Sequence, residues 1–111
     1  MKKVNVRIRK TPDFLEIGQA NCYLYENNDI RIFGSLNVNR SDCRGHRTAA
    51  VCANLCNEEG KIVFVFNVYH STKYNLTTNA YYSFEHHCVD ITRFFGLDEL
   101  AYVELYVVLD V

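Results

Sequence analysis

Apolar and polar residues trade places at every second position over most of this chain, and that period of two constrains its fold more than any other feature. Successive side chains of an extended strand point to opposite faces, so a strand with one face on a core shows this pattern and a helix does not. Val4, Val6 and Ile8 alternate with Asn5, Arg7 and Arg9. Asn21 to Tyr25 and Ile30 to Val38 flank the polar run Glu26-Asn27-Asn28-Asp29, which has the length and chemistry of a hairpin connection. Ile30, Ile32, Gly34, Leu36 and Val38 fall on one side of the second arm, and Arg31, Phe33, Ser35 and Asn37 on the other.

Ala49, Val51, Ala53 and Leu55 form the next inward set, with Ala50, Cys52, Asn54 and Cys56 opposite, ending at the turn Asn57-Glu58-Glu59-Gly60. Lys61 to Tyr69 is apolar on both faces, as a central strand would be. Tyr82, Phe84, His86 and Cys88 alternate with Tyr81, Ser83, Glu85 and His87, and Tyr102 to Leu109 is a final β-branched and aromatic run. Between them Asp90 to Leu100 holds at most a helical turn, with Asp90 as its N-cap. About seven strands without βα alternation predict an all-β domain, an antiparallel two-sheet immunoglobulin-like sandwich, with a small β-barrel as the alternative. No repeat or composition shift divides the chain, so residues 1–111 are expected to form one domain.

Composition narrows the function classes. With 12 Lys+Arg against 13 Asp+Glu, the net charge of -1 supplies no bulk field for gathering nucleic acid or an acidic membrane. The most apolar segments, Ile62 to Val68 and Tyr102 to Val111, are too short and too often interrupted for a membrane helix. The N-terminus alternates basic and apolar residues and lacks the apolar block of a secretory signal. A cytoplasmic location follows if the chain is full length, and an extracytoplasmic one if it is a piece of a longer protein whose signal lies elsewhere.

The central segment resembles a known family. Gly34-Ser35-Leu36-Asn37-Val38-Asn39, then Ala49 through Leu55-Cys56-Asn57-Glu58-Glu59-Gly60-Lys61-Ile62-Val63, then Tyr82-Ser83-Phe84 follow the order of the bacterial FxLYD-type immunoglobulin-like domains. Leu55-Cys56-Asn57 stands where that family has Leu-Tyr-Asp, and Asn79-Ala80 precedes Tyr81-Tyr82 where it has Pro-Gly. The resemblance implies a sandwich used as a noncatalytic accessory or binding module, outside the bacterial membrane.

Cys43-x2-His46-x5-Cys52-x3-Cys56 carries the ligand types that zinc prefers. Cys52 and Cys56 on one strand would lie about 13 Å apart, at about 3.3 Å per residue, whereas two ligands of one zinc lie within about 4 Å of each other. No cofactor is therefore expected, and a small metal- or ligand-binding protein using Cys43 and His46 is the second reading. An odd count of five cysteines at irregular spacing makes reduced thiols the default. Adjacent residues His86 and His87 point to opposite faces of a strand and cannot share a site, whereas His70 is in position to approach either. No nucleophile elbow, phosphate loop or zinc-protease motif occurs, so no enzymatic activity is expected. Protein recognition is the favoured class, with a protein partner or a second copy as occupant. Arg40, Arg44 and Arg47, in one loop, together with Tyr81 and Tyr82, are the candidate interaction residues, because Tyr and Arg are enriched where binding energy concentrates. Arg31, Phe33, Tyr23, Tyr25 and Tyr74 are candidates to lie beside them.

Overall fold

A computed structural model of the chain describes residues 1–38, 48–70 and 81–110, with the side chain of His70 outside the described set. Among the described residues there are seven strands, β1 (Lys2–Ile8), β2 (Leu15–Leu24), β3 (Ile30–Val38), β4 (Ala49–Cys56), β5 (Ile62–His70), β6 (Tyr81–Cys88) and β7 (Tyr102–Leu109). They form one sheet in the order β5-β4-β7-β1-β2-β3-β6. The all-β expectation holds, but the sheet is mixed and not antiparallel, because β1 runs parallel to β7.

The parallel pair arises from a division of β1 between two neighbours. Lys2 to Val4 pair with Leu24 to Cys22 of β2, and Asn5 to Ile8 then pair with Tyr102 to Leu105 of β7. The sheet is thereby joined through β1 and curls into a half-barrel. Its two edge strands approach each other through side chains: the Phe66 ring lies 4.8 Å from that of His86, and Tyr69 lies 6.0 Å from Tyr82. β5 and β6 are the two ends of the sheet order, so among the described residues no ladder closes the barrel.

The core fills the concave side. Cys22, Ile30, Ile32, Leu36 and Val38 come from one half, and Val51, Ala53, Leu55, Val103 and Leu105 from the other. Phe14, ahead of β2, and Ile91 and Phe95, between β6 and β7, also belong to the cluster. Asp90 caps the short 3-10 turn Ile91–Arg93 as expected, its side chain accepting the Thr92 N–H. The β2–β3 turn docks there, with the Ile91 N–H donating to the Asn28 carbonyl at 2.9 Å. In the β4–β5 turn, Asn57 Oδ1 accepts the Glu59 and Lys61 N–H groups, and Gly60 takes the left-handed φ of 82° that favours glycine.

Two strand assignments change. β5 is an edge strand, with Ile62 and Val65 half exposed, whereas β4 lies between β5 and β7 and is buried on both faces. The outward residues Ala50, Asn54 and Cys56 are small and sit opposite Val108, Glu104 and Tyr102, whose larger side chains overshadow them. Irregular pairing at Val51/Cys52 and Leu55/Cys56 breaks the β4–β5 ladder in two places, a feature that blunts an edge strand against pairing with other chains. β2 begins at Leu15, well before Asn21. Leu15 and Ile17 are buried, as is Cys22, so the inward parity changes from odd to even within one strand.

The cause is a bulge. Gly18 pairs with Ser35 and Asn21 with Phe33, so Gln19 and Ala20 together oppose Gly34. Gln19 has φ 52°, in the left-handed region. A Cβ on Gly34 would lie 2.9 Å from Phe84 Cζ, 3.1 Å from the Gly18 carbonyl oxygen and 3.2 Å from Ala20 Cα. The bulge and the Phe84 ring crowd this position, which explains the glycine there.

Candidate functional site

The convex face of β2, β3 and β6 carries a groove of about 840 Å³. Strand register places Asn21 of β2, Phe33 of β3 and Glu85 of β6 side by side in one rung, with Arg31 in the next rung on the same face. Gln19, Tyr25, Tyr81 and Ser83 complete the main lining. Tyr25 enters from the start of the β2–β3 turn, where its N–H donates to the Asp29 carbonyl at 2.9 Å.

The walls of the groove are aromatic and braced. Tyr23 and Phe33 stack with centroids 5.6 Å apart, in a near-parallel arrangement at 27°. Arg31 donates to Glu85 Oε1 at 3.2 Å across the β3–β6 pair, and its guanidinium lies 5.7 Å from the Tyr25 ring centre. Tyr81, at the far end, is 61% exposed. Its rung partner on β3 is Asn37, whose Oδ1 is buried with no hydrogen-bond partner among the described residues. Ser35, beneath the groove, is buried, and its hydroxyl donates to the Gly18 carbonyl at 3.2 Å.

A second, smaller depression of about 390 Å³ shares Tyr25 and Arg31 with the groove and adds Glu26, Asn27, Asp29 and His87. Asp29 organises it. Its Oδ1 accepts the Asp90 N–H at 2.9 Å, and its Oδ2 lies 2.9 Å from His87 Nε2. The Asp90 amide first, and then His87, hold the Asp29 carboxyl below the usual carboxylate range. This network ties the β2–β3 turn to the end of β6 and fixes the position of Tyr25 and Arg31.

The structure separates several candidates that the sequence groups together. Tyr81 lines the convex groove, whereas Tyr82 faces the other way and packs toward Tyr69. Arg31, Phe33 and Tyr25 line the groove with Tyr81, and Tyr23 stacks beside it. Arg40, Arg44, Arg47, Cys43, His46 and Tyr74 lie outside the described residues. His86 and His87 point to opposite faces: the first sits against Phe66 and the second against Asp29. Burial first, and then the neighbouring His87, lower the His86 pKa. Cys52 and Cys56 share the convex face of β4, opposite Tyr106 and Tyr102 respectively. Among the described residues no three His, Cys, Asp or Glu side chains gather as a metal ion requires. Nor is any helix among them long and apolar enough to cross a membrane.

Sequence reasoning did not single out the lining residues Asn21, Ser83 and Glu85, nor Gln19. The residue type of Gln19 carries no signal; the parity change between Ile17 and Cys22 is the feature that locates it.

No family model matches the chain, and no curated protein does. Among solved structures, the chain is similar to the crystal structure of Campylobacter jejuni cj0090, at 9% identity and a TM-score of 0.48, covering 93% of this chain and 95% of that one.

Proposed function

We propose that this chain is a noncatalytic accessory domain that recognises a protein segment with the convex groove of β2, β3 and β6. The observation that carries the reading is Gln19. A non-glycine residue at φ 52° costs about 1 kcal/mol relative to glycine, and bulges that re-aim a side chain are enriched next to functional sites. Here that strained residue lines the groove, next to Tyr25, Arg31, Phe33 and Tyr81. Exposed aromatic and Arg side chains on a braced sheet give contact area at low entropic cost, as interface anchors do.

The immunoglobulin-like part of the proposal rests on the central-segment resemblance to FxLYD-type domains and on the way β1 is shared between two halves of a curled sheet. The strand order differs from the constant-type immunoglobulin sandwich. There the second and third strands lie in facing sheets, whereas here β2 and β3 form a hairpin. The accessory role is thus proposed for a β-domain with its own connectivity.

Selection of a displayed peptide library on the purified protein tests the reading. Enriched peptides are expected to lose at least about tenfold in affinity on Phe33→Ala or Tyr81→Ala, as anchor residues do. Peptides that bind both variants as tightly as the parent, or a library that yields no binder, would overturn it. A self-association broken by the same two substitutions would make a second copy the occupant.

A further inference from the structure

The opposite half of the sheet carries a second surface of different chemistry. Within the four strands β1, β4, β5 and β7, Glu104 is the only acidic residue, whereas β1 contributes Lys2, Lys3 and Arg7, with Arg9 and Lys10 immediately after it. Val4 is buried, so alternation sends Lys3, Asn5, Arg7 and Arg9 to the convex face. Arg7 and Arg9 are set apart by two strand residues, about 6.6 Å along the chain.

Each arginine is held over a tyrosine of β7. The Arg7 guanidinium lies 3.8 Å from the Tyr102 ring centre, and that of Arg9 lies 4.5 Å from Tyr106. Stacking orients a guanidinium and leaves its edge N–H groups free to donate. Arg9 gives one such bond to Glu104 Oε1, at 2.6 Å, and Asn54 Nδ2 donates to the same oxygen at 3.1 Å. Arg7 has no carboxylate partner among the described residues. One carboxylate thus serves a row of three cations, and the strip has a net positive charge on a nearly neutral protein.

We infer that the convex strip formed by Lys3, Arg7 and Arg9, with Tyr102 and Tyr106, docks an extended acidic peptide whose carboxylates recur at every second residue. Such a peptide has the same two-residue repeat as the strand that displays the arginines. Arg–carboxylate pairing then forms in register, with Arg7 as the first anchor. A continuous polyphosphate fits less well, because Glu104 lies on the same strip and the chain's net charge of -1 supplies little long-range attraction. This surface is independent of the groove on β2, β3 and β6.

Fluorescence anisotropy with a labelled octapeptide of alternating Glu and Thr tests the inference, with the Gln-Thr octapeptide and an eight-residue oligothymidylate as comparisons. The acidic peptide is expected to bind in low salt and the Gln-Thr peptide not to. Arg7→Gln and Arg9→Gln are each expected to weaken binding by about fivefold, the effect of one partly exposed ion pair. Glu104→Gln is expected to strengthen it, because the internal competitor for Arg9 is removed. A thermal melt of each variant shows that it is folded. The inference is overturned by absence of acidic-peptide binding, by binding that folded Arg7→Gln and Arg9→Gln variants retain in full, or by tighter binding of the oligothymidylate.

Discussion

Gly34→Ala puts the bulge geometry to a quantitative test. The added methyl would sit 2.9 Å from Phe84 Cζ, closer than side-chain carbons approach, with the Gly18 carbonyl oxygen at 3.1 Å and Ala20 Cα at 3.2 Å. Phe84 is buried, and the other two atoms are backbone of the bulge, so none of the three moves freely. Overpacking of this kind costs about 1–3 kcal/mol, and replacing glycine in a strand returns about 0.5–1 kcal/mol of conformational entropy, which at mid-range leaves a net loss of about 1.2 kcal/mol. At about 2.1 cal/mol/K per residue, 111 residues give an unfolding entropy of roughly 0.23 kcal/mol/K, so the midpoint should fall by about 5 °C. Thermal denaturation followed by circular dichroism measures this. In a Phe84→Leu background the loss should shrink, because one of the three contacts is removed, but the two backbone contacts should keep it above zero. A Gly34→Ala protein as stable as the parent, or a loss unchanged by Phe84→Leu, would refute the reasoning.

Gln19→Gly relieves the left-handed backbone and should raise stability by about 0.5–1 kcal/mol in urea denaturation, while weakening any ligand of the groove. Acid should destabilise the fold in two stages, read from chemical denaturation against pH. His86 has a lowered folded pKa, because burial and then His87 disfavour its charged form; stability present at neutral pH should fall as pH drops through about 6.5, where the unfolded imidazole takes up its proton. Asp29 has a lowered folded pKa set first by the Asp90 amide and then by His87; its contribution is present above the unfolded value of about 3.9 and should be lost as pH falls through the folded one. Asp29→Asn should flatten the second stage only. Burial pushes the Cys22 thiol up to about 12, so among Cys22, Cys52, Cys56 and Cys88, native-state alkylation read by peptide mass spectrometry should spare Cys22 and mark the half-exposed Cys52 and Cys88.

The strands were legible wherever one face met the core without interruption. β3 and β4 follow this rule, with Ile30, Ile32, Leu36 and Val38, and Ala49, Val51, Ala53 and Leu55, all buried. The first half of β2 was hidden because an extra residue reverses the parity between Ile17 and Cys22, and a pattern of period two then looks like a break. The edge position of β5 was not legible either. Apolar residues on both faces read as a central strand, yet Phe64 and Phe94 cover part of one face at a centroid distance of 4.5 Å, while Val65 on the other is open. Which strands pair is a property of the folded chain as a whole, and the handover of β1 from β2 to β7 leaves no mark in residues 2–8 beyond the decline in burial from Val4 to the exposed Ile8. In the groove, residue type identified Tyr81 and its aromatic neighbours. The alternation of β6 sends Tyr82 away from them, and Gln19 entered through backbone geometry alone.

The recognition role of the convex groove is tested most directly by amide chemical-shift mapping of the protein with a peptide selected on it. The account predicts that the largest shifts cluster at Gln19, Arg31, Phe33, Tyr81 and Glu85, and that they vanish in the Phe33→Ala variant. Shifts that cluster away from β2, β3 and β6, or that persist unchanged in that variant, would contradict it.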